Sequence, residues 1–437
     1  MGRWLSNDLY LTEIVILIKK LKRGRNMEKY KFIRLFIVSV LCLSFVLTGC
    51  SSPVAPAATA APAEKTPGDY IAALPEEWKA QPVAALNQWA SSKHAAEGAT
   101  CATCHGNDPQ NLKRPSAQTC GTCHTEQNEE FQKSTHATST VHAMSKDKAT
   151  YNGKEVAYKW QAYPEGGPDK WGCSNCHSVG AISEDDGSLG DCSTCHSSHT
   201  FSLVQARSPE TCDTCHAGPG HPQYESFEQS KHGIVWRTLG KDFDLSGTTE
   251  EFWARQKVDP MPAPTCQTCH MPEGTHYTSH GQAHDLLGDR VENYEEEITF
   301  MVENSCTTCH SEAYSREWLG NADEFATFTK ARIREAKKML EAVRKEGLIR
   351  DTMEVTNAHP IAGELSAADS LWFRANMSTN RAFKGAFHMS SQWAGRQGWT
   401  DQSFDLMDFR SELERLRADA ERDKKIEELE KMLNISE

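Results

Sequence analysis

Seven Cys-x-x-Cys-His units constrain what this chain can become. They are Cys101 and Cys104 with His105, Cys120 and Cys123 with His124, Cys173 and Cys176 with His177, and Cys192 and Cys195 with His196. Cys212 and Cys215 with His216, Cys266 and Cys269 with His270, and Cys306 and Cys309 with His310 complete the set. Of the 16 cysteines in 437 residues, these units use every one beyond position 50. A disulfide framework does not require a His after each second Cys. Zinc ribbons pair two Cys-x-x-Cys units with no adjacent His in each. Cys-x-x-Cys-His is the attachment signature of c-type haem, in which thioethers hold the porphyrin and the His ligates the iron. The expected cofactors are therefore seven covalently bound haem c groups.

The formal net charge is −13, and haem propionates would add to it. Nucleic acid, which needs a basic face, is excluded as a partner. Only 38% of residues are hydrophobic, which suits a chain whose haems supply much of the apolar core.

The N-terminus reads as an address. Lys29, Lys31 and Arg34 precede an apolar run from Leu35 to Leu47, which ends in Leu47-Thr48-Gly49-Cys50. A basic region, a short apolar stretch and small residues describe a secretory signal, and the run is short for a membrane span. The Leu-Thr-Gly-Cys end resembles a bacterial lipobox and marks Cys50 for lipidation. Met27 looks like the true start. The expected organisation is an N-terminal extension and lipoprotein-type signal over 1–50 and an Ala/Pro-rich tether over 51–68. A heptahaem domain over 69–318 follows, and a helical C-terminal region over 319–437 packs on it.

The haem motifs are unevenly spaced, so a solenoid is not expected. The predicted fold is mainly α, with short helices and loops around a packed haem chain, followed by long C-terminal helices. Phe325, Phe328, Ile333, Ala336, Met339, Leu340 and Val343 recur at helical spacing. They predict a helix from Asn321, as cap, to Gly347. Helices are also predicted over 365–377 and from Phe404 to Leu433. The last has Phe409, Leu413 and Leu416 on one side, then Ile426, Leu429 and Leu433 after a register shift. It packs on its own body or on a neighbouring subunit.

Eleven histidines lie outside the motifs. A six-coordinate electron-transfer haem needs a second axial ligand. His199 lies three residues past His196, on the proximal side of that haem, and so reaches only a neighbouring haem. His94 and His232 share the setting Ser-Lys-His, His136 and His142 lie close together, and His276 follows a motif. These six are the expected distal ligands, ahead of His280, His284 and His359. Six ligands for seven haems hint that one iron keeps an open position, where chemistry replaces relay.

Thr211-Cys212-Asp-Thr-Cys215-His216, then Gly220-His221-Pro and Ser230-Lys231-His232-Gly233, then Cys266-Gln-Thr-Cys269-His270 through His276, resemble the hydroxylamine oxidoreductase family of octahaem cytochromes. The Cys192-to-His199 stretch is similar as well, and the resemblance spans roughly 90–400. It implies a largely α-helical protein, in many cases a trimer. It also implies small nitrogen compounds bound at one haem without a distal protein ligand, which corresponds to the haem on His177. His221 then matches the pocket histidine and would exchange protons with substrate. The chain departs from the family in having seven motifs, in carrying Gly220 where Asp commonly precedes the pocket His, and in having no Tyr after Tyr314. Oxidative members cross-link a C-terminal Tyr to the catalytic haem; its absence favours the reductive direction, nitrite or hydroxylamine to ammonium.

Hydroxylamine or hydrazine oxidation at the same site and a purely electron-transferring cytochrome are the rival readings. The expected partners are a small nitrogen oxyanion or hydroxylamine, a redox partner protein or membrane quinol oxidase, and a membrane reached through the lipid anchor. The expected location is periplasmic or at the cell surface.

Overall fold

In the computed structural model, residues 65–140, 149–151, 154–156, 174–218, 220–284, 289–349 and 366–433 are described. They belong to one compact unit, Lys65–Glu437. The expected signal segment with Cys50, most of the tether, His142, Cys173 and His359 lie outside the described residues.

Local structure follows the haem motifs. Residues i, i+3 and i+4 share one face of a helix, so a single turn presents both sulfurs and the imidazole of a motif to one planar group. The chain makes that turn repeatedly. The backbone N–H of His124, His196, His216 and His310 donates to the carbonyl of Cys120, Cys192, Cys212 and Cys306, each at 2.9 Å. Cys101–His105 and Cys266–His270 are one-turn helices. Helices this short do not hold themselves, and caps support them. The backbone N–H of Thr100, Ser116 and Thr265 donates to the hydroxyl of Thr103, Thr119 and Thr268 at 3.0, 3.3 and 3.1 Å, which satisfies N–H groups left over at each start. Between motifs the chain forms further short helices. Two strands, β1 (Ala149–Tyr151) and β2 (Lys154–Val156), pair antiparallel.

Two distal candidates sit on capped helix starts. Ser230 caps α1 (Lys231–Leu239), its Oγ accepting from Gly233 N–H at 3.1 Å. Ser92 caps Lys93–Ala96 in the same way. The Ser-Lys-His setting is thus a cap followed by the first helical residues, with the histidine in the opening turn. Gly233 is required there, because a Cβ would lie 2.0 Å from the Phe227 carbonyl oxygen.

Three long helices close the C-terminal part: α2 (Glu312–Lys345), α3 (Ala367–Phe387) and α4 (Asp401–Met432). The cap of α2 is Ser311, directly after the last motif, and not Asn321 as expected. Tyr314 and Trp318 explain the earlier start: Tyr314 packs on His310 at 5.1 Å and on Trp318 at 6.3 Å, which ties the first turns to the motif. This helix runs across the expected junction at 318/319. It stops at Gly347, whose φ of +75° is a left-handed conformation suited to a helix end. The helix predicted over 365–377 runs on to Phe387. A π-helical stretch, Gln392–Thr400, leads into α4 and lies close against α3. A Cβ at Gly398 would meet the Ala382 backbone at 2.3 Å, and one at Gly385 the Ala394 nitrogen at 2.5 Å.

Ile333, Leu340, Val343, Trp372, Leu406, Phe409 and Leu413 form the largest side-chain core, between these helices. Arg344 pairs with the fully buried Asp369 at 2.5 Å, and Arg374 with Asp405 at 2.6 Å. The register shift in α4 coincides with a change of environment. Phe409 and Leu413 are fully buried, whereas Ile426, Leu429 and Leu433 are exposed. Among the described residues no helix is long and apolar enough to cross a membrane. Phe409→Ala should lower stability by about 3–5 kcal/mol, and Leu429→Ala should change it by less than about 0.5 kcal/mol. Denaturant midpoints of the holoprotein check the difference.

Candidate haem sites and a substrate pocket

A metal–imidazole bond is about 2.0 Å long and the ring centre lies roughly 1 Å behind the nitrogen, so two imidazoles sharing one iron hold their ring centres about 6 Å apart. Among the described residues, six motif histidines face a second imidazole at that spacing. His124 faces His94, His105 faces His199, and His216 faces His136, each at 5.9 Å. His196 faces His276 and His310 faces His232 at 6.1 Å, and His270 faces His388 at 6.3 Å. Aromatic rings can pack directly at such distances. Direct packing, however, gives no reason for every pair to join one motif histidine to one outside the motifs.

Second contacts orient these rings. A ligating His usually donates its other ring N–H to a carbonyl or similar acceptor, which leaves the opposite nitrogen lone pair for the metal. The Nδ1 of His105 lies 2.8 Å from the Lys113 carbonyl, that of His270 2.8 Å from the His280 carbonyl, and that of His388 2.8 Å from the Lys384 carbonyl. His276 Nδ1 lies 3.0 Å from the Gly274 carbonyl and His136 Nδ1 3.0 Å from the Thr278 hydroxyl. Burial also keeps imidazoles neutral, the form that binds iron. It pushes His196 and His388 down to about 4 and His216 to about 3, with nearby imidazoles adding to the effect. The motif side chains line one continuous cavity of about 3510 Å³, several times an ordinary ligand pocket. Spacing, tautomer control and volume all fit haem.

The attachment cysteines map which sites touch. Cys104 neighbours Cys120 and Cys123, and Cys120 neighbours Cys192. Cys195 neighbours Cys212 and Cys215, and Cys212 neighbours Cys266. Cys269 neighbours Cys306 and Cys309. The sites therefore run 101, 120, 192, 212, 266, 306. The remaining motif joins this run from the side, through Cys176 against Cys215.

Of the expected distal ligands, His94, His136, His199, His232 and His276 each face a motif histidine. His142 lies outside the described residues. His388 takes a sixth place that sequence reasoning did not give it: it follows the last residue of α3, over a hundred residues beyond its partner, in no setting shared with the others. Its one signal is the Phe387-His388 step closing an amphipathic helix. Of the three lower-ranked histidines, His359 lies outside the described residues and the other two have other duties. His280 stacks on Phe300 at 3.6 Å, and His284 Nε2 lies 3.0 Å from Asp323 Oδ1, which Arg290 also holds.

Around His177 the chain is tightly packed. Its carbonyl accepts from Ser139 at 3.3 Å and from Thr140. Gly180 lets the 136–137 backbone approach, since a Cβ there would sit 2.6 Å from the His136 oxygen. Gly220 and His221 line the cavity beside Gln223, Met377, Asn380 and Phe383. Lys384 crosses from α3 to donate to the Gly220 carbonyl at 2.7 Å. Burial, with Lys330 nearby, pushes the Lys384 amine down to about 8. His216 senses both His221 and Lys384, so these groups form one cluster.

His388→Ala should open the haem on His270 and add a high-spin component to the ferric spectrum. His284→Ala should leave the haem spectrum unchanged and alter only stability. An unaltered spectrum in the first variant would contradict the pairing with His270.

A family model described as seven times multi-haem cytochrome CxxCH matches residues 99–358. The chain is 26% identical over 399 positions to a probable nitrite reductase-hydroxylamine oxidoreductase fusion protein of Kuenenia stuttgartiensis. That match takes in 79% of this chain but 44% of the relative, so the chain spans less than half of that protein's length. Among solved structures it is similar to a reducing HAO-like protein complex of Kuenenia stuttgartiensis, with TM-score 0.59 and 20% identity over 78% of this chain and 84% of that one. It is also similar to a hypothetical multiheme protein, with TM-score 0.62 and 18% identity over 82% and 99%. These two likenesses concern the fold, a mainly helical one with long C-terminal helices. With the repeated attachment turns and the family match over more than half its length, the chain belongs to the seven-times multi-haem CxxCH cytochromes, which carry covalently bound haem c.

Proposed function

We propose that this protein is an exported oxidoreductase that reduces a small nitrogen compound, nitrite or hydroxylamine, towards ammonium at the haem on His177. The observation that carries the reading is the set of six imidazole pairs. Each pair would saturate one iron as a relay site, and the resemblance assigns the substrate to the haem on His177. The likeness to a nitrite reductase-hydroxylamine oxidoreductase fusion protein supports nitrogen chemistry. The absence of Tyr from the stretch Phe383 to Trp393, which the resemblance matches to the cross-linking segment, supports the reductive direction.

When bound, the haem on His177 supplies the electrons and an iron for the substrate nitrogen. The polypeptide supplies the rest. His221 gives a proton to a substrate oxygen as water leaves, a role suited to an imidazole near neutral pH. Ser139 and Thr140 fix the His177 backbone, which holds the proximal side still. Several electrons are needed per turnover, and haems held at the six paired sites would lead them to the side branch at Cys176. Seven haems, a lipid on Cys50 and the 51–68 tether would hold the heptahaem domain, 69–318, and its helical region, 319–437, at a membrane surface in the periplasm or at the cell exterior. There a quinol oxidase or redox protein feeds it, with a homotrimer as its assembly.

A second reading, an electron conduit, draws on the same run of saturated sites. Ferric holoprotein should show a high-spin component from one haem, perturbed by nitrite, hydroxylamine or cyanide. His221→Ala should lower reduction driven by a reduced dye by about 100-fold or more while the low-spin signals stay. If all haems are low-spin and inert to added ligands, or if His142→Ala creates the high-spin signal, the conduit reading replaces the enzyme.

A further inference from the structure

We infer that Lys384 is a positioning and specificity residue of the substrate pocket: its ammonium pins the Gly220 carbonyl and sets a cation beside His221, so the pocket selects an oxyanion over a neutral amine. The inference rests on the reading that substrate binds between the haem on His177 and His221.

Three observations converge. Lys384 is 9% exposed, and its Nζ lies 2.7 Å from the Gly220 oxygen, one residue before His221 and far away in sequence. An ammonium has three donors, and the carbonyl uses one; the side chain lines the cavity, where the others are available. Among the described residues no carboxylate pairs with it. A buried charge without an opposite charge is costly, and an anion in the cavity would relieve that cost. Lys330 reinforces the field. It is 2% exposed, and its Nζ lies 4.9 Å from the centre of the Phe383 ring, against 5.9 Å for Lys384 Nζ from the same ring.

The ligand chemistry is that of a small oxyanion, from substrate nitrite or from a haem propionate, and the test separates them. Nitrite and hydroxylamine are titrated optically into ferric holoprotein of the wild type, Lys384→Met, Lys384→Gln and Lys384→Arg. Loss of the charge should weaken nitrite by about tenfold or more, while hydroxylamine changes less than about threefold. Lys384→Arg should restore nitrite binding. Lys384→Gln keeps a donor for Gly220 without the charge, so it should resemble Lys384→Met for nitrite. Equal loss of both ligands would mean that Lys384 only shapes the turn, and would overturn the inference. Unchanged nitrite affinity with a shifted reduction potential of one haem would assign the cation to a propionate, and would overturn it too. Failure of the wild type to bind either ligand would show in the first titration that the proposed reaction itself is wrong.

Discussion

Two imidazoles sharing one iron are the interaction on which this architecture depends. The bond lengths set a separation of about 6 Å between ring centres, and among the described residues the chain meets it six times within a span of 5.9–6.3 Å. Each pair joins segments that are otherwise weakly structured: a one-turn helix carrying the motif and a loop or helix end carrying the partner. Helices of one turn do not persist alone. Covalent attachment and axial ligation take the place that a side-chain core has in other folds. This explains how a chain with 38% hydrophobic residues encloses a cavity of several thousand cubic ångströms lined by cysteine and histidine. Conventional packing is concentrated where the haem motifs end, between α2, α3 and α4.

The C-terminal helices are part of the haem machinery and not an appendage. The last turn of α3 places Lys384 against the turn that carries His221. The residue after α3 is His388, opposite His270. The Lys384 carbonyl orients the His388 ring, and the Lys384 amine holds Gly220. One residue thus links the His270–His388 pair to the turn that carries His221. The close approach of Gly385 and Gly398 keeps this end of α3 pressed against the π-helical stretch, so its direction is rigid.

Much of this was legible in the sequence because the signals are local. The motifs specify their own helical turn. The Ser-Lys-His setting of His94 and His232 is a helix cap, a short-range pattern. The spacing of His199 from His196 forbids its own haem and sends it to a neighbour, and its ring faces that of His105. What was not legible is long-range. His388 has no cap, no motif nearby and a partner far upstream, so only the tertiary fold reveals it. The start of α2 was misplaced because Tyr314 and Trp318 join the helix through their packing on His310, a contact that periodicity does not register. The cation at Lys384 likewise became visible only when α3 was set against Gly220.

Iron-edge anomalous diffraction from crystals of the holoprotein tests the central claim most directly. The account predicts an iron midway between the rings of each of the six pairs, and a further iron beside His177. Imidazole pairs packed against each other with irons located elsewhere would contradict it.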